Sequence, residues 1–156
     1  MRRIGIATGL GALAITFAAN VHAASAHADT SFHTWRNAQT GKCLAAGYRA
    51  QKVYPGDCGQ PDAEWRIVGS MVKSMAETDW CLDSHPNHNT VYISKCDKGD
   101  KGQHWKLVTL PVQGYPQGAS MIRRGDGQVV TAWNNGKISM DSDKADVMEK
   151  YLWIEE

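Results

Sequence analysis

The sequence predicts an all-β fold of short strands joined by tight turns, and three observations carry that prediction. Apolar stretches of four or five residues recur between Gly-, Asn- and Asp-rich breaks, at the roughly 8- to 12-residue spacing of β-barrels and sandwiches. A cysteine-bounded motif occurs twice: Cys43 and Cys58 lie 15 positions apart, and so do Cys81 and Cys96. Each copy ends on a tryptophan, Trp65 and Trp105, 40 positions apart, while the opening cysteines lie 38 apart. Self-similarity at a period near 40 marks an internal repeat.

The chain begins with a targeting-type segment. Arg2 and Arg3 precede an apolar stretch of small residues from Ile4 to Ala19, and Ala26-His27-Ala28 fits a small-x-small cleavage site. Those 16 residues fall short of the ~20 that span a bilayer as a helix. Residues 1–28 therefore read as a secretory signal peptide, with Ala23 and Ala26 as alternative cleavage points, and 29–156 as the mature, secreted domain. That leaves 128 residues, enough for one domain with a sizeable core. Without Arg2 and Arg3 it carries 15 Lys and Arg against 16 Asp and Glu. A near-neutral chain without basic clusters points to neither nucleic acid nor an anionic membrane surface. No later stretch is apolar enough for membrane insertion.

Four cysteines in an exported chain imply disulfides, and four thiols allow three connectivities. The repeat selects one, Cys43–Cys58 and Cys81–Cys96, because equal spacing lets each pair close inside its own unit. Loops of that size are worth about 3 kcal/mol by chain entropy. A four-thiol zinc site lacks the C-x-x-C pairs such sites use.

Strands are expected over Phe32–Arg36, Val53–Tyr54, Trp65–Val68, Met71–Met75, Val91–Ser94, Trp105–Thr109, Ser120–Arg123, Val129–Trp133 and Lys137–Met140. Polar turns fill 37–42 and 84–90, and Gly125-Asp126-Gly127 and Asn134-Asn135-Gly136 supply hairpin turns that call for positive φ. The window Asp143–Leu152 reads as a short helical turn within a longer loop. A third unit follows from the first two. Trp153 closes it, and counting back the 24 positions that separate Cys81 from Trp105 reaches Val129. Val129-Val130-Thr131 thus stands in place of Cys-Leu-Asp, and both cysteines are gone. The units run roughly over 32–68, 69–109 and 110–154. A unit this small cannot bury its apolar face alone, so Trp65, Trp105 and Trp153 should meet in a common core. Trp80 and Trp133 flank the equivalent strands and are candidates for exposure.

Cys-Leu-Asp, an alternating strand, a second Cys and Gln103-His104-Trp105, recurring three times, resemble the ricin-type lectin family with its Gln-x-Trp signature. The resemblance implies a β-trefoil and a carbohydrate-binding, non-enzymatic function. In such lectins the Asp after Cys-x accepts sugar hydroxyls, an aromatic near the second Cys stacks on the sugar, an Asn before the Gln adds a contact, and the Gln orients the Asp. Carried onto the second unit, these roles fall on Asp83 and Gln103. Ser94 occupies the usual aromatic position, Tyr92 is its substitute on the same strand face, and Gly102 stands in place of Asn. His85 and His88 are candidates for the pocket rim. Ala45 and Thr131 replace the Asp in the other units, which leaves a single, shallow site for a glycan, with galactose-like sugars the family's usual choice. The degenerate units keep two further readings open: a protein-interaction or inhibitor trefoil with a protein partner, and an accessory chain that targets a toxin or hydrolase.

Other signals are weaker. His85, His88 and His104 lack the pattern of a metal centre, and Asp141-x-Asp143 with Asp146 fails the calcium-loop spacing. Arg124-Gly125-Asp126 is explained by turn chemistry. No catalytic motif, cofactor loop or unpaired cysteine nucleophile is present. Neither a cofactor nor a metal is expected.

Overall fold

The computed structural model describes residues 31–142 and 148–156, so the segment read as a signal peptide and residues 143–147 lie outside it. Twelve strands form three sets of four. The first set is β1 (Trp35–Asn37), β2 (Cys43–Gly47), β3 (Lys52–Gly56) and β4 (Trp65–Val68). The second is β5 (Met71–Ser74), β6 (Trp80–Ser84), β7 (Val91–Lys95) and β8 (Trp105–Val112). The third is β9 (Tyr115–Arg124), β10 (Gln128–Ala132), β11 (Ile138–Ser142) and β12 (Trp153–Glu155). The middle strands of each set pair as a hairpin. The last strand of each set pairs with the first strand of the next: β4 with β5, β8 with β9, and β12 back with β1. This closed, threefold arrangement is the β-trefoil.

The motif openings themselves are strands. Cys43-Leu44 begins β2, Trp80 to Ser84 form β6, and Ser84 belongs to β6 rather than to the turn assigned to it from sequence. The reason is pairing: Asp83 lies opposite Tyr92 and Ser84 opposite Val91, so ladder bonds extend the strand into polar sequence. β8 likewise runs past Thr109 to Val112 and pairs with β9 through a bulge. The first strand starts later than the expected Phe32, with β1 beginning at Trp35 and His33 making an isolated bridge to Trp65. Gly127 and Gly136 carry φ of +91° and +78°, as their turns require. Of the expected helical window, the described part holds a single 3-10 turn, Glu149–Tyr151. No helix among the described residues is long and apolar enough to cross a membrane.

The core is built in threefold layers. Strand pairing makes Trp35, Val72 and Ile122 equivalent, then Leu44, Leu82 and Val130, and all six are buried in one cluster with the three closing tryptophans. Each closing indole also makes one polar bond. Trp65 Nε1–H donates to the Leu44 carbonyl at 2.8 Å, Trp105 to Leu82 at 2.9 Å, and Trp153 to Val130 at 3.0 Å. Val130 is the residue after Val129, so the cysteine-free third unit is in the register deduced from spacing. The disulfides are Cys43–Cys58 and Cys81–Cys96, both within their units. Trp35 is core; Trp80 and Trp133 are half-buried.

Seams between units are knitted by polar side chains that end β1 and β9. Asn37, fully buried, donates from Nδ2 to the carbonyls of Lys150 at 3.0 Å and Leu152 at 3.2 Å, while its Oδ1 accepts from the backbone N–H groups of Gln39 and Thr40, each at 3.1 Å. Arg124 holds the corresponding seam between the second and third units, donating to Ser84 Oγ at 3.0 Å and the His85 carbonyl at 3.2 Å.

Substituting Trp105→Phe keeps most of the ring but leaves the buried Leu82 carbonyl without its donor. A loss of roughly 1–3 kcal/mol is expected, read as a lower urea midpoint; an unchanged midpoint would remove the indole bond from the account of stability.

Candidate functional site

The second unit brings four of the five predicted site residues together. Asp83 on β6 faces Tyr92 on β7, Ser94 stands two residues further along β7, and Gln103 ends the 3-10 turn Lys101–Gln103. Asp83 Oδ1 accepts the Ser84 N–H at 2.6 Å, and Oδ2 accepts Ser94 Oγ–H at 2.5 Å. Gln103 Nε2 donates to Ser94 Oγ at 2.7 Å and to the Lys95 carbonyl at 2.8 Å, with Asp83 Oδ2 at the longer distance of 3.5 Å. Its Oε1 accepts the Asp97 N–H at 2.9 Å, which fixes the amide orientation. Burial raises the Tyr92 phenol pKa, and the Asp83 charge and hydrogen bond raise it further. His85 stands outside this cluster: its Nδ1 accepts the Asn87 N–H at 3.2 Å and its ring packs on His88 with centroids 4.5 Å apart.

The carboxylate is covered. Asp83 is 1% exposed, and the cover is the 3-10 turn. A Cβ at Gly102 would overlap both the Asp83 carboxylate and the Ser84 carbonyl, so backbone packs where the resemblance calls for an asparagine side chain. Asp100 holds that turn down, its Oδ1 accepting the Gly102 N–H at 2.8 Å.

Each of the other units fills the equivalent space differently. In the first unit Ala45 and Ala63 replace Asp83 and Gln103, and Tyr54, the equivalent of Tyr92, donates its hydroxyl to Asp62 at the Gly102 position. That bond, with burial behind it, pushes the Tyr54 pKa up to about 12. In the third unit Thr131 turns its hydroxyl to the Val129 carbonyl at 3.2 Å. Asp141 takes the Ser94 position and meets Lys150 Nζ, from the Gly102 position, at 2.9 Å, which raises the lysine pKa. The acid therefore comes from β6, from the 3-10 turn or from β11 according to the unit, and only the second unit couples it to a glutamine.

This geometry sits on a chain whose residues 31–142 match the ricin-type β-trefoil lectin domain. The protein belongs to that family. Solved structures share the fold at low identity. An endo-β-galactosidase from Clostridium perfringens that releases GlcNAcα1-4Gal superposes with a TM-score of 0.64 at 19% identity, over 80% of this chain and 31% of the enzyme. A mosquitocidal holotoxin gives 0.67 at 12%, over 81% of this chain and 17% of the toxin. A non-toxic homologue of type II ribosome-inactivating proteins (RIPs) from Momordica charantia, in complex with α-methyl-D-galactoside, gives 0.62 at 18%, over 80% and 47%. The chain thus spans less than half the length of each of these three. No curated protein matches it in sequence.

Two side chains of this lectin domain act where the sequence suggested otherwise or nothing. Arg124 is 6% exposed, and besides its seam bonds it donates to Asp126 Oδ2 at 2.5 Å and to Gln128 Oε1 at 2.8 Å. The Arg124 hydrogen bond holds the Asp126 carboxyl below its ordinary pKa. The only sequence signal was the Gly-Asp-Gly turn. His104, considered beside His85 and His88, points elsewhere, to Ser70 Oγ at 2.8 Å and the Lys98 carbonyl at 2.9 Å. Asp143 and Asp146 of the acidic run lie outside the described residues.

Gly102→Ala should cost roughly 1–3 kcal/mol by overpacking, seen as a lower denaturation midpoint, because the neighbours it meets include backbone. A midpoint equal to the parent's would show that the turn is free to lift off Asp83.

The tyrosines give a pH signature. A raised folded-state pKa means the Tyr54 hydrogen bond contributes fully below an ordinary tyrosine pKa of about 10 and is lost as pH rises through about 12. Phenolate absorbance should show a late-titrating group that Tyr54→Phe removes; its persistence in that variant would reassign it.

Proposed function

We propose that the chain is a secreted carbohydrate-binding module whose sugar site is the Asp83 cluster of the second unit. One observation carries this reading: Asp83, Ser94 and Gln103 form a single hydrogen-bonded group beside the Tyr92 ring. A carboxylate makes strong charge-assisted bonds to hydroxyls, and the Ser94 hydroxyl already occupies Oδ2 as a sugar hydroxyl would. Binding on this reading exchanges one hydroxyl for another on the same oxygen, with Tyr92 covering the C–H face. The ligand class is a neutral, galactose-like glycan, and the complex is weak because Ser94 and the Lys101–Gln103 turn compete for the space. Export is supported by the two disulfides, which persist in oxidising compartments.

The burial of Asp83 favours a second reading, a trefoil that has given up sugar for a protein partner. A third role, targeting a separate toxin or hydrolase, is compatible with either and draws on the toxin and glycosidase structures of which this fold is a part.

Binding to a panel of immobilised galactosides and other neutral glycans separates these readings. Ser94→Tyr supplies the aromatic at the family's position and is expected to tighten binding about two- to tenfold, the range of an aromatic contact worth ~0.5–1.5 kcal/mol. Asp83→Ala is expected to abolish it, with circular dichroism as the folding control. Sugar binding that ignores both substitutions places the site elsewhere, and a folded protein that binds no glycan favours the protein partner.

A further inference from the structure

Strand pairing puts Trp133 in the place His85 holds in the second unit. Asp83 faces Tyr92 and Thr131 faces Ser139, so the residues two further on, His85 and Trp133, are equivalents. At this position the second and third hairpins each border a groove shared with the turn that opens the following unit. The groove between the second and third units, about 430 Å³, is lined by Pro86, Lys101, His104 and Arg124 among others, with neither tryptophan nor tyrosine. Between the third and first units a groove of about 420 Å³ is lined by Gln39, Thr40 and Lys42 of the β1–β2 turn, Pro55 of β3, and Trp133 and Asn134. None of Asp83, Tyr92, Ser94 or Gln103 lines either groove.

We propose that the groove between the third and first units is a second saccharide-binding subsite, with Trp133 as its stacking platform and a neutral pyranose as its ligand. The indole is fixed in place. Its Nε1–H donates to Ser139 Oγ at 2.8 Å, so ring surface rather than a polar atom is offered. Lys150 Nζ sits 4.4 Å from the ring centroid, anchored on Asp141, and is not among the residues that line the groove. The rim is polar and neutral. The side-chain amides of Gln39 and Asn134 make no hydrogen bond to other described residues and are available as donors and acceptors. Lys42, the one cation on the lining among the described residues, has its ammonium 2.8 Å from Asp57. An aromatic plate, unengaged amides and a neutralised charge suit the C–H face and hydroxyl edge of an uncharged sugar, and not an acidic one.

The inference rests on the carbohydrate-binding reading and adds to it a site outside the Cys-Leu-Asp and Gln-x-Trp motifs. Two subsites on one domain would let a multivalent glycan surface hold a module whose individual sites are weak. The test is a heteronuclear NMR titration of the folded domain with four probes: methyl α-galactoside, lactose, N-acetylglucosamine and xylotriose. At least one is expected to shift the Trp133 indole N–H together with the Gln39 and Asn134 side-chain amides. Trp133→Ala should weaken that binding at least fivefold. Asn134→Ala, on the exposed rim where folding is not at stake, should weaken it about threefold. Shifts confined to the surroundings of Asp83, or an affinity that neither substitution changes, would overturn the subsite and leave the lectin reading standing. No shift anywhere with any of the four sugars would overturn both.

Discussion

The structure depends on one bond made three times, from a buried indole N–H to the carbonyl that follows the motif opening. A tryptophan at the start of the last strand of each unit would bury its ring in any case, for the apolar area. Its N–H decides how. Left without an acceptor, that donor costs free energy in the core, and the carbonyls of Leu44, Leu82 and Val130 are the acceptors the fold supplies. Each bond pins the last strand of a unit to its second strand, which sets the height of the hairpin over the barrel. Trp35 shows the contrast: equally buried but in a first strand, its Nε1 finds no partner. Position in the unit, rather than residue type, decides which indole becomes a strut.

With those struts in place the units are free to diverge elsewhere, and they have. The disulfides staple two hairpins, while the third holds its register with valines at 129 and 130 and an ion pair between Asp141 and Lys150. The seams diverge in the same way. Asn37 and Arg124 do equivalent work with unrelated side chains, because what the seam needs is donors aimed at the carbonyls and hydroxyls of the preceding unit. The matching residue in the second unit, Ser74, is buried with its Oγ unpartnered. The space each hairpin leaves for a ligand is shaped by these local solutions. That is why one unit holds a carboxylate–glutamine cluster, one an acid bonded by tyrosine, and one a salt bridge.

The repeat, its register and both disulfides were legible in the sequence because they are one-dimensional facts: equal cysteine spacing, a recurring tryptophan, and apolar residues at matching offsets. Even Val129 as the stand-in for a cysteine followed from counting. The strand limits were less legible. Ser84 looks like a turn residue, and only the ladder to β7 makes it strand. The association of Asp83, Tyr92, Ser94 and Gln103 was readable through the motif, whereas the outlying place of His85 was not, since a loop residue's direction is set by the packing of neighbours.

What the sequence determined by itself was the threefold repeat and the two staples, since periodicity and spacing survive in one dimension; the grouping of Asp83, Tyr92, Ser94 and Gln103 was implied by the family resemblance. Only the tertiary structure decided that Asp83 is buried. The cause is a missing side chain: without a Cβ at Gly102, backbone closes on the carboxylate, and a close approach between residues 19 positions apart leaves no mark in local pattern. Tertiary structure also decided that Arg124 and Asn37 belong to seams and that Trp133 borders a groove. Those places exist only where one unit meets the next, and the meeting of units is fixed by the closure of the barrel rather than by any stretch of chain.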